Sequence, residues 1–364
     1  MTTRQPVRIL AIGPAPAGPR SRGGMASVMR LLREHPDPRF AITVIPTFVD
    51  TIAPIRLWTG IRGMLTATAL ILLGRTDIVH VHLSHGGSVV RKSLPLMAAR
   101  LRGTPAIVHG HSFNFTGWLD PLPAPVRRLV RVALHADHWL VLGRSLAVQY
   151  RRCLHLHEDQ IQVLYNPVVM PDIRHGQQHS STLTVLTLGR LGHRKGTFDL
   201  VRAVELLPDD VRSQIQVVLA GDGEVDEVRA FVDARNLRSV IDVVGWIDAP
   251  TRDSFLQMAD IFVLPSYDEG LPMAMLEAMA HGVVPLTTPV GSIPEAVTDD
   301  IDGLLVSPGD AAALADGLQR LVQDRDLRTQ LSAAARERAA AFDVAAWRAE
   351  LAVLWLRLAA RRSG

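Results

Sequence analysis

The sequence predicts an α/β protein built from two doubly wound, parallel-sheet domains, and three observations predict it. The chain has 364 residues, too many for one ordinary domain and comfortable for two. Both halves alternate short β-branched runs with helical segments, the pattern of parallel strands covered on both faces. Between the halves, residues 168–182 (VVMPDIRHGQQHSST) lose periodicity and turn polar, which marks a linker. These features place a first domain at 1–172, a second at 173–344 and a last helix at 345–364.

In the first half, VRILAIG (7–13) is a buried strand, followed by a Gly/Pro loop and a helix over about 25–34. FAITVIPTF, DIVHVHL (77–83), AIVHGH (106–111), HWLVLG (138–143) and IQVLYNP (161–167) are the further strands, with helical MAARLRG between the second and third of these. In the second half, LTVLTLG, IQVVLAG, IDVVGW, IFVLPS and VVPLTT are strands. Helices are expected at about 196–207, 224–235, 251–258, 272–281 and 311–324, and IPEAV opens one more short one. The segment 345–361 sets Trp347, Leu351, Leu354, Trp355 and Leu358 on one face, at spacings of 3, 4, 7 and 8. It is expected to cross back to the first domain and staple the two together. In such sheets ligands bind beyond the carboxyl ends of strands, and two such ends facing each other make a central cleft.

Composition narrows the function classes. At 48% apolar and 21% charged, the chain is neither disordered, collagenous nor a coiled coil. One cysteine, Cys153, excludes an internal disulfide and a cysteine zinc site. The start leads straight into a glycine loop and reads as a strand, not a signal peptide. The longest apolar stretch, MLTATALILL (64–73), is half of the ~20 residues a membrane span needs. A cytoplasmic location is expected, with the option of resting on a membrane.

The net charge of +3 hides an asymmetry. Residues 1–172 hold 20 Lys+Arg and 9 Asp+Glu, giving +11; the remainder holds 19 and 27, giving −8. The halves either meet different partners or attract each other. Lys92 and Lys195 are the only lysines. No lysine-rich or aromatic patch and no nucleic-acid motif appears, so no nucleic-acid partner is expected.

Two clusters carry chemistry. In IFVLPSYDEGLPMAMLEAM (261–279), a strand ends, a loop holds Asp268, Glu269 and Gly270, and a helix begins with Pro272 at its first position. Free amides from Leu271 onward form an anion site, aided by the helix dipole. Glu269 and Glu277 can bracket a ligand whose phosphates rest there, accepting from vicinal hydroxyls. An anion site with flanking hydroxyl acceptors describes a sugar nucleotide; a charged surface loop with a capping acid is the plain alternative. In LGRLGHRKGT (188–197), Arg190 and Lys195 stand at a strand end, and two cations beside an anion site suit a diphosphate. Arg194 reads as a solvated arginine. Gly221-Asp222-Gly223 is another tight turn, and Asp300-Ile301-Asp302, formally a D-x-D, reads as a turn and not a metal site.

These pieces together resemble the retaining family 4 glycosyltransferases of the GT-B fold. The match runs through the second half in order: GRLGHRKG, VVLAGDGE, VVGW, ADIFVLPS, EGLPMAMLEAMAHGVVPLTT, GSIPEAV and DGLLVSPGD. The resemblance implies that Glu277 binds the donor ribose and Glu269 the sugar hydroxyls. Arg190 and Lys195 would hold the diphosphate, Gly270 and Leu271 supplying backbone, with Gly221 and Asp222 near the base. Ser292 departs from a glycine common in the family. It further implies transfer with retention, no covalent protein nucleophile and no metal, since Arg190 and Lys195 neutralise the leaving diphosphate.

The first half resembles the family less tightly. Gly23 and Gly24 match its glycine loop near the donor phosphates and acceptor. The family's histidine facing the anomeric centre maps best onto His109, before Gly110, with His111 as the alternative. Asn166 matches a position near the hinge. His80, His82, His85, His109 and His111 lie at or near strand ends. A zinc reading is set aside, because no acidic ligand pattern accompanies them. PVRRLVRVALH (125–135) is a basic amphipathic segment, with Val126, Leu129, Val130, Ala133 and Leu134 on one face and Arg127, Arg128 and Arg131 on the other. It fits a lipid-linked or other anionic acceptor, or contact with an anionic membrane; a core-packed helix with a solvated face fits it as well. The expected activity is sugar transfer from a nucleotide-diphosphate donor to a glycan, glycolipid or other hydroxyl acceptor. A sugar-nucleotide epimerase and a non-catalytic nucleotide-sugar-binding subunit are the rivals.

Overall fold

A computed structural model of the chain describes residues 5–172 and 182–363. Residues 173–181 of the expected linker lie outside the described residues. The chain forms two compact units, one running to Asn166 and resuming at Ala345, the other spanning Pro167–Val344.

In the first unit, β1 (Val7–Pro14), α1 (Gly24–Arg33), β2 (Phe40–Phe48), α2 (Ala53–Leu72), β3 (Ile78–Leu83) and α3 (Gly87–Arg102) come first. There follow β4 (Ala106–Gly110), α4 (Phe115–Leu119), α5 (Ala124–Ala133), β5 (His138–Val141), α6 (Arg144–Leu154) and β6 (Ile161–Val163). The strands pair in parallel in the order β2-β1-β3-β4-β5-β6. β3, β4 and β5 are buried along their whole length, as strands covered on both faces must be.

The second unit repeats the plan. It runs β7 (Leu183–Leu188), α7 (Thr197–Leu206), α8 (Asp209–Arg212), β8 (Ile215–Ala220), α9 (Val225–Asp233), β9 (Ile241–Gly245) and α10 (Ala249–Met258). Then come β10 (Ile261–Leu264), α11 (Met273–Ala280), β11 (Val284–Thr287), β12 (Leu304–Leu305), α12 (Ala311–Gln323) and α13 (Arg325–Ala339). Its strand order is β12-β11-β10-β7-β8-β9, again parallel. Val185, Val217, Ile261 and Leu286 from four neighbouring strands meet Leu200, Val204 and Leu318 of α7 and α12 in one core. Asp248, Asp310 and Asp324 each accept from a backbone amide three residues on, capping α10, α12 and α13.

The last helix, α14 (Val344–Ser363), joins the first unit. Trp355 is fully buried, 4.9 Å from the Phe40 ring and 5.4 Å from His35. Arg348 donates to the carbonyls of Leu31 and Glu34 at the end of α1. Trp347, Leu351, Leu354 and Leu358 are buried, as their spacing requires.

The division between units falls before Pro167, not after Asp172. The Val168 amide donates to the Phe342 carbonyl and its own carbonyl accepts from Val344, both at 2.8 Å, so this segment already belongs to the second unit. Two long helices, α2 and α13, escape the sequence reading. α2 buries only Gly60, Gly63, Ala67 and Ile71, and its outward positions are apolar as well, which erases the 3.6-residue alternation. α13 buries Leu331, Ala335 and Ala339, too little apolar bulk for a strong period.

Candidate active site

The strand order of each sheet defines where a ligand fits. In the second unit the chain winds from β7 toward β8 and β9 on one side and lays β10, β11 and β12 on the other. The switch lies between β7 and β10, and the crevice beyond their carboxyl ends is the favoured binding place of such a sheet. The loops there are GRLGHRKG after β7 and PSYDEGLP after β10. Both clusters singled out in the sequence therefore meet at one point.

Close backbone contacts fix these loops. Gly196 has φ +66°, and a Cβ there would stand 2.0 Å from the Pro265 carbonyl oxygen. Gly221 lies so near the Gly189 carbonyl that a Cβ would stand 1.5 Å away. Only glycine permits either approach. The Leu191 amide donates to Asp222 at 2.6 Å and the Glu224 amide to Leu191 at 3.1 Å, so the β7 and β8 loops are zipped together. Across the switch, Arg194 donates to the Asp268 carbonyl at 2.8 Å and the Tyr267 amide to the Arg194 carbonyl at 3.0 Å. Arg194 is exposed, as read from sequence, and in addition ties the two loops together.

The charged groups pair within this crevice. Lys195 donates to Glu269, and the pair is nearly buried, with side chains 15% and 8% exposed. Ser266 donates to the same carboxylate oxygen of Glu269 at 2.8 Å. Lys195 and Glu269, assigned separately to diphosphate and sugar, are thus one ion pair in the protein alone. Arg190 is exposed and makes no hydrogen bond or ion pair among the described residues. Asp268 has its carboxyl pushed up by burial, with Arg194 opposing and Glu269 adding to the shift.

Helix α11 opens beside this pair. Pro272 is its N-cap and not its first residue, because its ψ of 119° is extended. Gly270 and Leu271 are buried ahead of it. The Ser292 amide donates to the Gly270 carbonyl at 2.8 Å, so the departure from glycine at Ser292 leaves this loop anchored. Glu277, over one turn into the helix, pairs with Arg252 of α10 at 3.2 Å. Burial lowers the Arg252 pKa, but the charges of Glu277 and Asp253 outweigh it and the net shift is upward. Sequence reasoning missed Arg252, since nothing local links it to a glutamate 25 residues on; Ser266 stood in the motif without a role.

In the first unit the switch lies between β1 and β3. Gly23, at φ +87°, caps α1 with open space about it, and Gly24 begins that helix. Beyond β3, His85 hydrogen-bonds Ser112 at 2.7 Å. His80, His82 and His109 are fully buried with ring centroids 4.7–5.9 Å apart; His80 stacks on both others, and His82 and His109 are tilted to each other. Both ring nitrogens of His80 and of His109 lack hydrogen-bond partners. His111 lies just past β4, keeps some exposure and meets His82 at 2.9 Å. Burial pushes the imidazoles of His80 and His111 down to about 3 and those of His82 and His109 well below the usual value. All four are neutral at pH 7. The potential ligand atoms of His80, His82 and His109 lie within 4.8 Å of one another.

The remaining singled-out residues take structural places. Asn166 is buried at the end of the first unit. In α5, Arg127 donates to the carbonyls of Asp120 and Leu122, and Arg131 to that of Cys153, so of the three arginines Arg128 alone stands exposed. Val130, Ala133 and Leu134 are buried as grouped, while Val126 and Leu129 face out. Asp300 pairs with Arg320 at 2.6 Å and Asp302 accepts from the Thr298 amide at 2.6 Å, which makes that D-x-D a turn. Lys92 is buried in α3 and donates to Thr47 at 2.7 Å; burial pushes its pKa down to about 7.

Comparison with known proteins gives the family and the fold. A family model described as glycosyl transferases group 1 matches residues 171–338. A D-inositol 3-phosphate glycosyltransferase of Arthrobacter sp. is 31% identical over 294 residues, covering 74% of this chain and 68% of its own. The UDP-Gal:alpha-D-GlcNAc-diphosphoundecaprenol alpha-1,3-galactosyltransferase of Escherichia coli is 25% identical over 331 residues, covering 81% of this chain and 78% of its own. In fold, the chain is similar to the sucrose-phosphate synthase of Thermosynechococcus elongatus, with a TM-score of 0.78 at 22% identity over 98% of this chain and all of that one. The fold is GT-B, with two Rossmann-like domains.

Proposed function

Because the chain belongs to the group 1 glycosyl transferases and acts on sugar-nucleotide donors, we propose that it moves a sugar from a uridine diphosphate donor to a lipid-linked glycan. In this reading the anomeric configuration is retained and no metal is needed. The carrying observation is the Lys195–Glu269–Ser266 group at the β7/β10 switch, beside the N-terminus of α11. The E. coli relative's donor and its diphosphoundecaprenol acceptor supply the uridine and the lipid link.

The roles follow from charge and position. Lys195 turns toward the arriving diphosphate and shares its charge between that anion and Glu269. Arg190, exposed and without a protein partner among the described residues, adds a second cation. These contacts strengthen as the leaving diphosphate gains charge, so they lower the barrier as well as bind. Glu269, released in part from Lys195, accepts from sugar hydroxyls. Glu277 accepts from the ribose and is held in place by Arg252. Retention needs the acceptor hydroxyl to enter on the face the diphosphate leaves, and no protein carboxylate is asked to attack. Of the two candidate histidines we assign His111 to the reacting centre. It stands beyond the end of β4 with some exposure, whereas His109 is sealed in the core.

The test is transfer to a lipid-diphosphate-linked sugar in the presence of chelator, with the product's anomeric configuration read by NMR. The expected product keeps the donor's configuration at an undiminished rate. An inverted product, or activity lost with chelator and restored by a divalent cation, would overturn the mechanism.

A further inference from the structure

Helices α2, α3 and α5 lie side by side on the first unit and turn an unusual surface outward. α2 buries a stripe of small residues, with Gly63 tight against the Pro46 carbonyl, and exposes Ile55, Leu57, Trp58, Ile61, Leu65 and Leu72. Leu57, Trp58 and Leu65 are each more than half exposed. Leu101 of α3 and Leu129 of α5 are exposed on the neighbouring helices. A helix that is apolar on all sides normally belongs in a core, and a large contiguous apolar patch on a surface marks an interaction site.

The charge says what covers it. These helices span 20, 16 and 10 residues, carry eight arginines and one lysine, and contain no Asp or Glu. Arg56, Arg62, Arg100, Arg102 and Arg128 are exposed. A second copy of this chain meeting the same face would set these arginines against one another, which a symmetric dimer cannot relieve. Apolar side chains among unopposed arginines, with a tryptophan in the row, suit an anionic bilayer surface. Among the described residues no helix is long and apolar enough to cross a membrane, so α2 lies along it.

We propose that the α2–α3–α5 face docks on anionic phospholipid, with α2 as the embedded element. The proposal deepens the lipid-linked acceptor reading and rests on it for its purpose, since docking brings the enzyme to the surface that holds such acceptors. Its physical basis is independent of the donor site.

The full chain is mixed with phosphatidylcholine vesicles with and without phosphatidylglycerol, and bound protein is measured by co-sedimentation. Binding is expected only with phosphatidylglycerol and is weakened by salt. Trp58→Glu/Leu65→Glu abolishes it, and Arg56→Gln/Arg62→Gln weakens it by about fivefold per arginine. Both variants keep their thermal stabilisation by UDP, because all four residues belong to the first unit and the β7/β10 switch to the second. Binding that ignores phosphatidylglycerol or survives both variants overturns the proposal. So does a concentration-dependent dimer, seen by light scattering, that Trp58→Glu/Leu65→Glu dissolves. Vesicle binding without UDP stabilisation of the wild type would overturn the donor reading and leave the docking surface standing.

Discussion

The two units share one strand plan and treat their interior polar groups in opposite ways. At the switch of the second, Lys195, Glu269 and Ser266 satisfy one another, and Glu277 is held by Arg252. In the first, His80 and His109 lie in the sheet with ring nitrogens that meet no partner. Paired charges at a strand end can be shared with an incoming anion at little cost. Unpaired neutral imidazoles can only be kept from protonation by burial. The difference gives the second unit a paired, exchangeable charge at its switch and leaves the interior histidines of the first neutral.

The largest expected effect follows from removing the shared cation. Lys195→Ala should lower kcat/KM about 10²–10³-fold, the usual loss for one preorganised transition-state contact, and should lower the thermal midpoint as well, because it leaves the nearly buried Glu269 without its cation. A loss confined to KM would mean that Lys195 binds donor without favouring the transition state. Next is acid. Unfolded histidines titrate near 6.5, whereas His80 and His111 stay neutral in the fold down to about 3. Between these values the unfolded chain holds more protons. Each of the two then lowers stability by up to about 1.4 kcal/mol per pH unit of acidification, an effect that sets in around 6.5 and fades above it. Chemical denaturation at pH 7, 6 and 5 checks it, and a flat profile would show the cluster is already hydrated or charged.

Much of the second unit was legible in the sequence, because its strands are short β-branched runs and its loops carry glycines at close backbone approaches. The β7 and β10 clusters meet where the strand order reverses, so the fold and the meeting of these two loops could be read from the motifs. Arg252 could not, since its tie to Glu277 joins two helices without a local pattern. Nor could the choice between His109 and His111. Both lie at the end of one apolar run, and only the strand's true end at Gly110 separates the sealed ring from the accessible one. α2 was invisible for a third reason: a helix apolar on its exposed side has no period to find.

Two smaller effects sharpen the contrast within and between units. His111→Ala is expected to lower kcat about 10- to 100-fold, and His109→Ala to leave kcat within about threefold while lowering the thermal midpoint. The reverse ranking would return His109 to the reacting centre. Arg252→Gln should raise the donor KM about tenfold with kcat nearly kept, as expected for one lost charge-assisted contact that orients Glu277. Arg252→Lys should recover part of it; equal losses in kcat would give Arg252 a direct part in the reaction.

The central claim, a nucleotide-sugar grip at the β7/β10 switch, is tested most directly by thermal stabilisation with UDP, GDP and ADP, wild type beside Glu277→Ala. At ~100 times its dissociation constant a ligand adds roughly 2.7 kcal/mol of stability. The account predicts that UDP raises the wild-type midpoint and that Glu277→Ala abolishes the rise. No shift with any of the three, or an undiminished shift in the variant, would contradict it.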